Sequence, residues 1–322
     1  KKMPLIKSDY QPSFIFRNGH FSTIYSAKLR ISPSLIQERE RVTLPDNDFI
    51  DIDWSYAKKP INKVAILLHG LEGNAQRIYI KGAAKALLED HWDIAAMNFR
   101  GCSGEDNTKY QSYHSGKTDD LESIINHILE KDYYQEIVLV GFSLGGNLLL
   151  KYLGERENIP KEIKKGVAIS VPTSLRGSLE SLNKPENWPY RTVFLISLRN
   201  KYQLKMKQYP DKMLASDLKN MKTLQDFDDV YTSKAHGFKD ACDYYKKNSC
   251  NQFLHNIKAP VLLLNAKNDS FLSPDCFPFD IAKSSKYVFL ETPLHGGHVG
   301  FHESNETYYS EKRTVSFLKD LK

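Results

Sequence analysis

Residues 137–150 read IVLVGFSLGGNLLL, and they place a single serine between glycines where an apolar strand ends and an apolar helix begins. Within this stretch Gly141, Ser143 and Gly145 fit the pattern G-x-S-x-G, a tight turn that forces the serine into a strained backbone conformation. Side chains two positions before and after the serine would collide with neighbouring main chain, so only glycine fits there. The pattern therefore predicts that Ser143 is a nucleophile at the end of a sheet strand.

The apolar pattern around this turn predicts an α/β fold. Short apolar runs alternate with helical patterns, and strands buried on both faces imply a mostly parallel sheet with helices on both sides. Before them, ERERVTL and FIDIDWSY alternate around the turn-forming PDND, which predicts an N-terminal antiparallel hairpin. The predicted strands are Val64–Leu68, Ile94–Met97, Ile137–Val140, Val167–Ile169, Val261–Leu264 and Tyr287–Leu290. The predicted helices are Ile78–Glu89, Thr118–Lys131, Leu144–Arg156, Phe277–Lys283 and Tyr309–Leu321.

One interval breaks this alternation. Residues 172–256 separate two strands that a single helix could join, and they read as several short helical pieces rich in Tyr, Lys and Asp. No linker borders them, so we expect residues 1–322 to form a single domain with 172–256 as a cap insertion. In open α/β sheets the ligand crevice lies at the carboxyl ends of the strands, so this cap would cover the site.

Composition narrows the classes of function. Of 322 residues, 41% are apolar and 26% are charged, and no apolar stretch reaches the roughly 18 residues that cross a bilayer. The first residues, KKMPLIKSDY, develop no apolar signal-peptide core, so a soluble protein is expected. The four cysteines lie far apart without metal-like spacing, which predicts no structural metal and fits a reducing, cytoplasmic setting.

The basic residues are scattered and do not form the basic stripe typical of nucleic-acid binding, so we expect no nucleic-acid partner, although residues 171–256 supply most of the net charge of +6. Lys246 and Lys247 are interpreted as an exposed helix face, with weak peripheral membrane contact as the alternative. The sequence predicts no oligomeric state.

A serine hydroxyl becomes a good nucleophile only when a base takes its proton and a carboxylate orients that base. In this fold the chain order is serine, acid, histidine. The strand VLLL leads to Asp269, with Asp275 and Asp280 as competing acids. The loop LHGGHVGFH then offers three histidines, of which His298 is favoured because two glycines precede it; the others are His295, the second choice, and His302.

Two backbone N–H groups should stabilise the negative oxygen that develops on a substrate carbonyl. One is predicted to be Leu144, directly after the nucleophile. The other is predicted to be Leu71 in HGLEGN, where flanking glycines allow close backbone approach.

Other conspicuous residues receive structural interpretations. His69 is expected to brace its loop, His20 to anchor the N-terminal segment, and Cys102 to be a small packing residue. The DFDD run, residues 226–229, lacks the spacing of a calcium loop and is interpreted as a solvated or bracing turn. We therefore predict neither a cofactor nor a metal.

These motifs together resemble the YheT-like family of α/β-hydrolases, to which certain plant embryo proteins and vertebrate membrane-anchored lipases also belong. The resemblance rests on FRNGHFSTI, LLHGLEGN, NFRGCSG, GFSLGGN, FDDVYTSKAHGF followed by DYY, APVLLLNAKND and GGHVGF, which run in the family's order from about Pro12 to His302. It implies the α/β-hydrolase fold, with Ser143 as nucleophile, Asp269 as acid and His298 as base. One departure is the acid loop, where members often read D-D-P-F and this chain has NDSF.

The residues and the resemblance predict a serine hydrolase that cleaves carboxylic esters, such as short- to medium-chain acyl esters, through an acyl-enzyme. The resemblance also implies ester or lipid substrates, including glycerolipids and phospholipids. Two alternatives stay open: a lipase or phospholipase of the same mechanism acting at a membrane surface, and a non-catalytic binding protein on the same fold.

Overall fold

The sheet is mostly parallel, as the sequence predicts. The computed structural model of the chain describes residues 4–304 and 306–320. The strands in these ranges are β1 Leu5–Ile6, β2 Glu38–Thr43, β3 Phe49–Ser55, β4 Lys63–Leu68, β5 Asp93–Asn98, β6 Glu136–Phe142, β7 Ile163–Ile169, β8 Val261–Leu264 and β9 Val288–Glu291. They form one sheet in the order β1-β9-β8-β7-β6-β4-β5-β3-β2.

The predicted hairpin is confirmed as β2 and β3, and β3 also pairs antiparallel with β5. Its turn is closed by a hydrogen bond of 2.8 Å from Leu44 N to Asp48 O, and Asn47 has a positive φ of 62°. All other neighbouring strands of the described sheet are parallel. The loops that follow β4, β6, β8 and β9 therefore meet at one edge of the sheet.

Helices cover both faces, because side chains alternate across each strand. In β4, Val64, Ile66 and Leu68 pack in one core cluster, whereas Ala65 and Leu67 pack in another. The helices are α1 Gly19–Ile24, α2 Ile78–Glu89, α3 Thr118–Glu130, α4 Leu144–Glu155, α5 Leu175–Leu182, α6 Trp188–Gln208, α7 Ala215–Asn220, α8 Leu224–Phe227, α9 Ser233–His236, α10 Ala241–Asn248, α11 Phe279–Ser284 and α12 Tyr309–Asp320. α3 and α4 contribute to the first cluster, and α2 and α12 contribute to the second.

β8 has the predicted bounds, and β4, β5 and β6 extend beyond theirs by one or two residues at an end. β7 and β9 differ because polar side chains enter the sheet. β7 begins at Ile163, four residues before the predicted start, and contains the buried Lys165, whose ammonium donates to Leu318 O. β9 extends to Glu291, whose buried carboxylate pairs with Arg313 Nε at 2.6 Å. A search for apolar runs does not include Lys165 or Glu291. Their polar partners offset the free-energy cost of burying these charged groups.

α3 and α4 each end one residue before the predicted bound, and the other differences concern short elements and chain ends. α11 begins at Phe279, two residues later than predicted, because Pro278 takes the N-cap position. β1 was not predicted, since Leu5 and Ile6 are too few to show a period; they pair with β9. The predicted last residue of α12, Leu321, lies outside the described residues.

The segment between β7 and β8 contains α5 to α10 and has its own apolar cluster. The expectation of short pieces alone is wrong for α6, which is 21 residues long. Its buried residues Leu198, Tyr202 and Lys205 lie on one face, but Val193 and Ile196 are exposed, so no one-sided apolar pattern marks it. In the part of the chain that the structure describes, no helix is long and apolar enough to span a membrane.

A contact between the buried His114 and the half-buried His236 joins this segment to the rest of the fold. The rings of His114, in the loop before α3, and His236, at the end of α9, have centroids 4.4 Å apart and meet edge to face. Burial lowers the pKa of His236 to about 3 and that of His114 well below its usual value. Both imidazoles are therefore neutral in the folded protein at mildly acidic pH.

We predict that acid destabilises the protein through this pair. Between pH 6.5 and about 3 the unfolded state binds protons that the folded state excludes. The free energy of unfolding therefore decreases as the pH is lowered through this range. His236→Phe keeps an aromatic ring but removes one titrating group. Between pH 7 and pH 5 the wild type should lose about 1–2 kcal/mol more than the variant, measured by urea unfolding. Equal pH dependence in the two proteins would contradict the assignment.

Candidate active site

Ser143 occupies a sterically forced turn between β6 and α4. Its backbone has φ 52° and ψ −118°, a conformation that L residues rarely adopt. A Cβ added at Gly141 would lie 2.4 Å from Gly145 O, and one added at Gly145 would lie 2.4 Å from Leu68 O. The main chain is thus packed too closely for any side chain at either position.

The structure brings the three predicted polar side chains together. His298 Nε2 lies 2.9 Å from Ser143 Oγ, and His298 Nδ1 lies 2.8 Å from Asp269 Oδ2. The Asp269 carboxylate is buried and also accepts a 2.9 Å hydrogen bond from Phe271 N. With Nδ1–H donating to the carboxylate, Nε2 is the nitrogen that can accept the serine proton.

The competing residues lie elsewhere. His295 Nδ1 is 3.1 Å from Arg17 O, and the His302 ring stacks on Phe16 at 3.6 Å. Asp280 is almost fully solvent-exposed, and Asp275 is contacted by Thr173 Oγ1, which donates to its backbone carbonyl. Of the candidates that the sequence offered, only Asp269 and His298 join Ser143.

An N-terminal helix holds the histidine loop, a role that the sequence did not reveal. A Cβ added at Gly19, the first residue of α1, would lie 2.3 Å from Asn268 O, and one added at Gly297 would lie 2.3 Å from Gly19 O. Thr23 Oγ1 accepts a 2.8 Å hydrogen bond from His298 N. The sequence offered one sign of this role, the NGH motif at residues 18–20. Its glycine permits close contact with both the acid loop and the histidine loop.

The acid loop is braced by the residue that precedes α6. Ser270 Oγ donates to Asn187 Oδ1 at 2.7 Å, and Asn187 Nδ2 donates to Ser270 O at 2.8 Å. Phe271, two positions after Asp269, stacks on the His298 imidazole with ring centroids 4.2 Å apart. The acid loop is therefore held by two hydrogen bonds between Asn187 and Ser270.

Hydrogen bonds of His69 and Tyr79 hold the loop after β4 in place. Burial lowers the pKa of His69 to about 3, so the ring is neutral. Its Nδ1 lies 2.8 Å from Gly70 O, and its Nε2 accepts a 3.1 Å hydrogen bond from Phe99 N. Tyr79 OH accepts a further bond of 3.0 Å from Gly70 N. Both ring nitrogens of His69 therefore have backbone partners, and these contacts hold the loop in place.

The two amides predicted to bind an oxyanion flank Ser143. Leu144 follows it as the first residue of α4, and Leu71 belongs to the loop after β4. This loop comes so close that a Cβ at Gly70 would lie 3.2 Å from Ser143 Cβ. Among the described residues neither amide donates to a protein group, so both are available to a ligand.

Other conspicuous residues bind neighbouring parts of the fold. His20 Nδ1 lies 3.1 Å from Tyr190 OH, which joins the N-terminal segment to α6. Cys102 is buried and accepts a 3.1 Å hydrogen bond from Lys201 Nζ, and burial raises its pKa to about 11. Asp226 accepts from the backbone at the start of α8. Within residues 4–304 and 306–320, no group of three or more His, Cys, Asp or Glu is placed to hold a metal ion.

A cavity of about 680 Å³ opens beside Ser143 and His298. Much of its wall is apolar and comes from the segment between β7 and β8 and from the acid loop, with Leu175, Leu179, Leu182, Val193, Phe194, Leu198 and Phe271. A second part of the wall is polar and aromatic, with His114, Asp228, Tyr231, Tyr244 and Tyr245. The arrangement places a nucleophile and a base at the wall of a space that can hold an apolar chain.

The comparison with known proteins agrees with this geometry. A family model described as the alpha/beta hydrolase fold matches residues 64–304. The putative esterase YheT of Escherichia coli K12 is 31% identical over 91% of this chain and 87% of its own length. Phospholipase ABHD3 of Bos taurus is 29% identical over 99% of this chain and 80% of its own length.

A solved structure shows the same fold at greater distance. The esterase Pf2001 of Pyrococcus furiosus superposes with a TM-score of 0.59 at 17% identity, covering 90% of this chain and 95% of its own. The family model spans most of the chain, and one relative exceeds 30% identity over most of both proteins. The chain therefore belongs to the α/β-hydrolase family and, within it, to the YheT-like group.

Proposed function

We propose that the protein is a serine carboxylic-ester hydrolase that cleaves short- to medium-chain acyl esters. The observation that carries this proposal is the continuous hydrogen-bond chain from Ser143 through His298 to Asp269 at the wall of a large cavity. The relatives named esterase and phospholipase support hydrolase chemistry. A fold alone fixes no substrate, so the proposal depends on the site.

In the proposed mechanism His298 Nε2 takes the proton of Ser143 Oγ as the oxygen attacks the ester carbonyl. The Leu71 and Leu144 amides donate to the oxyanion of the tetrahedral intermediate. His298 then gives its proton to the departing alcohol, which leaves an acyl-enzyme on Ser143. Water, deprotonated by His298, then attacks that acyl group; the bond to Ser143 Oγ breaks, the carboxylic acid leaves, and His298 returns the proton to Ser143 Oγ. Asp269 holds the imidazole tautomer and stabilises its cation throughout.

We also propose that residues 172–256 act as a cap that holds the acyl chain. Leu179, Val193 and Leu198 of this segment line the cavity together with Phe271, which stacks on His298. An acyl chain against these residues would bury apolar surface and place its carbonyl near Ser143.

A fluorophosphonate probe tests the proposal. We expect the wild type to gain one covalent adduct, because the probe reacts with a serine activated by an imidazole. Ser143→Ala should abolish both labelling and hydrolysis of p-nitrophenyl esters, whereas Ser112→Ala, at another serine of the cavity wall, should retain both. Intact-mass spectrometry reads the adduct. A wild type that does not react would favour a non-catalytic binding protein, and an equal reaction of Ser143→Ala would show that Ser143 is not the nucleophile.

The contact between α1 and the histidine loop generates a second prediction. Thr23→Val removes the acceptor of the His298 amide and should lower kcat about tenfold, because the imidazole is held less well against Ser143. Thr23→Ser keeps the hydroxyl and should retain most of the activity. Steady-state kinetics with a p-nitrophenyl ester measure both. A Thr23→Val enzyme with unchanged kcat would show that α1 does not position the base.

A second candidate, a lipase or phospholipase acting at a membrane surface, is favoured by exposed apolar residues at the cavity. Ile24 and Val193 line the cavity yet are 49% and 64% exposed, and Trp188 and Ile196 on α6 are 60% and 54% exposed. Apolar side chains at an entrance suit contact with a lipid surface.

This candidate makes its own prediction. Replacing Trp188 and Ile196, which lie outside the cavity wall, together with serine should lower the rate on an ester dispersed in phospholipid vesicles about tenfold, because less apolar surface enters the lipid. The rate on a monomeric, water-soluble ester should stay close to wild type. Ile36→Ser, at an exposed apolar residue outside the cavity wall, is the matched control. Equal rates of the double variant and the wild type on vesicles would reject the candidate.

A further inference from the structure

Glu72 stands next to the proposed oxyanion donor Leu71 and has an unusual backbone. Its φ is +53°, in the left-handed region that favours glycine, although it carries a long charged side chain. That side chain is only 5% exposed. A buried carboxylate on a strained backbone persists only when surrounding contacts hold it.

The contacts of Glu72 involve every polar group it has. Its carboxylate pairs with Lys201 Nζ at 3.0 Å and accepts hydrogen bonds from Tyr113 OH at 2.6 Å and Ser197 Oγ at 2.5 Å. Its amide donates to Tyr113 OH at 2.9 Å, and its carbonyl accepts from Arg77 at 2.6 Å. These contacts fix the peptide planes on both sides of Glu72, including the unit that joins it to Leu71.

Two of these partners belong to α6. Lys201 and Ser197 are one helical turn apart, on the part of α6 that faces the cavity. Lys201 Nζ also lies 3.1 Å from Cys102 Sγ and 5.2 Å from the Tyr113 ring centroid. Burial lowers the pKa of Lys201, but Cys102 and Glu72 raise it to a net value above normal, so its ammonium stays charged. The helix is thereby tied to the loop after β4 by a charged contact.

We propose that Glu72 and Lys201 are positioning residues for the oxyanion hole: their ion pair fixes the backbone beside Leu71 and makes the direction of its N–H depend on the docking of α6. The proposal rests on the proposed esterase function and names the residues that complete its site. Neither residue touches the reacting atoms. Loss of the pair frees the positive-φ backbone to relax, and the Leu71 amide then turns away from the oxyanion.

The test uses two substrates that differ in one atom, a p-nitrophenyl ester and its thionoester. Sulfur accepts hydrogen bonds poorly, so the thionoester gains little from an oxyanion hole. Lys201→Met should lower kcat for the ester at least tenfold with KM changed less than threefold. The rate for the thionoester should fall much less, so the ratio of the two kcat/KM values should drop several-fold.

Two further variants separate positioning from general damage to the fold. Lys201→Arg keeps the charge opposite Glu72 and should recover most of the ester-to-thionoester ratio. Ser197→Ala removes one donor to Glu72 without removing a charge and should shift the ratio in the same direction as Lys201→Met, by a smaller factor. It also tests the proposal if Lys201→Met does not fold.

A second readout is inhibition by a trifluoromethyl ketone with the same acyl chain, whose hemiketal oxygen occupies the oxyanion position. Its inhibition constant should rise in the variants in proportion to the loss in kcat/KM. Folded variants with the wild-type ratio and wild-type inhibition would overturn the proposal, as would equal losses on both substrates. A wild type that neither reacts with fluorophosphonate nor hydrolyses esters would instead refute the proposed function.

Discussion

The hydrogen bond between His298 Nε2 and Ser143 Oγ is the contact on which the proposed chemistry depends. Its partners are 155 positions apart and stand on loops that leave different strands at one edge of the sheet. Ser143 is fixed by close main-chain packing at Gly141 and Gly145, and His298 is fixed by Thr23 and Asp269. Four segments of the chain must therefore be correctly placed before His298 Nε2 can lie 2.9 Å from Ser143 Oγ.

Much of the fold could be predicted from the sequence, because its strands and turn obey local rules. The runs that became β4, β6 and β8 are apolar on both faces, and the glycines at 141 and 145 are required by sterics within five residues. Prediction failed where a polar residue was buried with a distant partner. Lys165 in β7 is an example, since its partner Leu318 O belongs to the last helix.

The same distinction applies to the site. Glycines before His298 and a strand before Asp269 mark these residues locally, so the sequence could select them. The residues that hold their loops do not follow a local pattern: Thr23 and Asn187 act through contacts with segments far along the chain. Each contributes a hydrogen bond whose stabilising free energy depends on burial and geometry, and these are known only from the folded structure.

The most direct measurement of the central claim is a crystal structure of the protein after reaction with a fluorophosphonate. The account predicts a bond from phosphorus to Ser143 Oγ, with the phosphoryl oxygen about 2.7–3.1 Å from both the Leu71 and the Leu144 amide nitrogens. His298 Nε2 should remain within hydrogen-bond distance of the adduct. Phosphorus bound to another residue, or a phosphoryl oxygen pointing away from both amides, would contradict it.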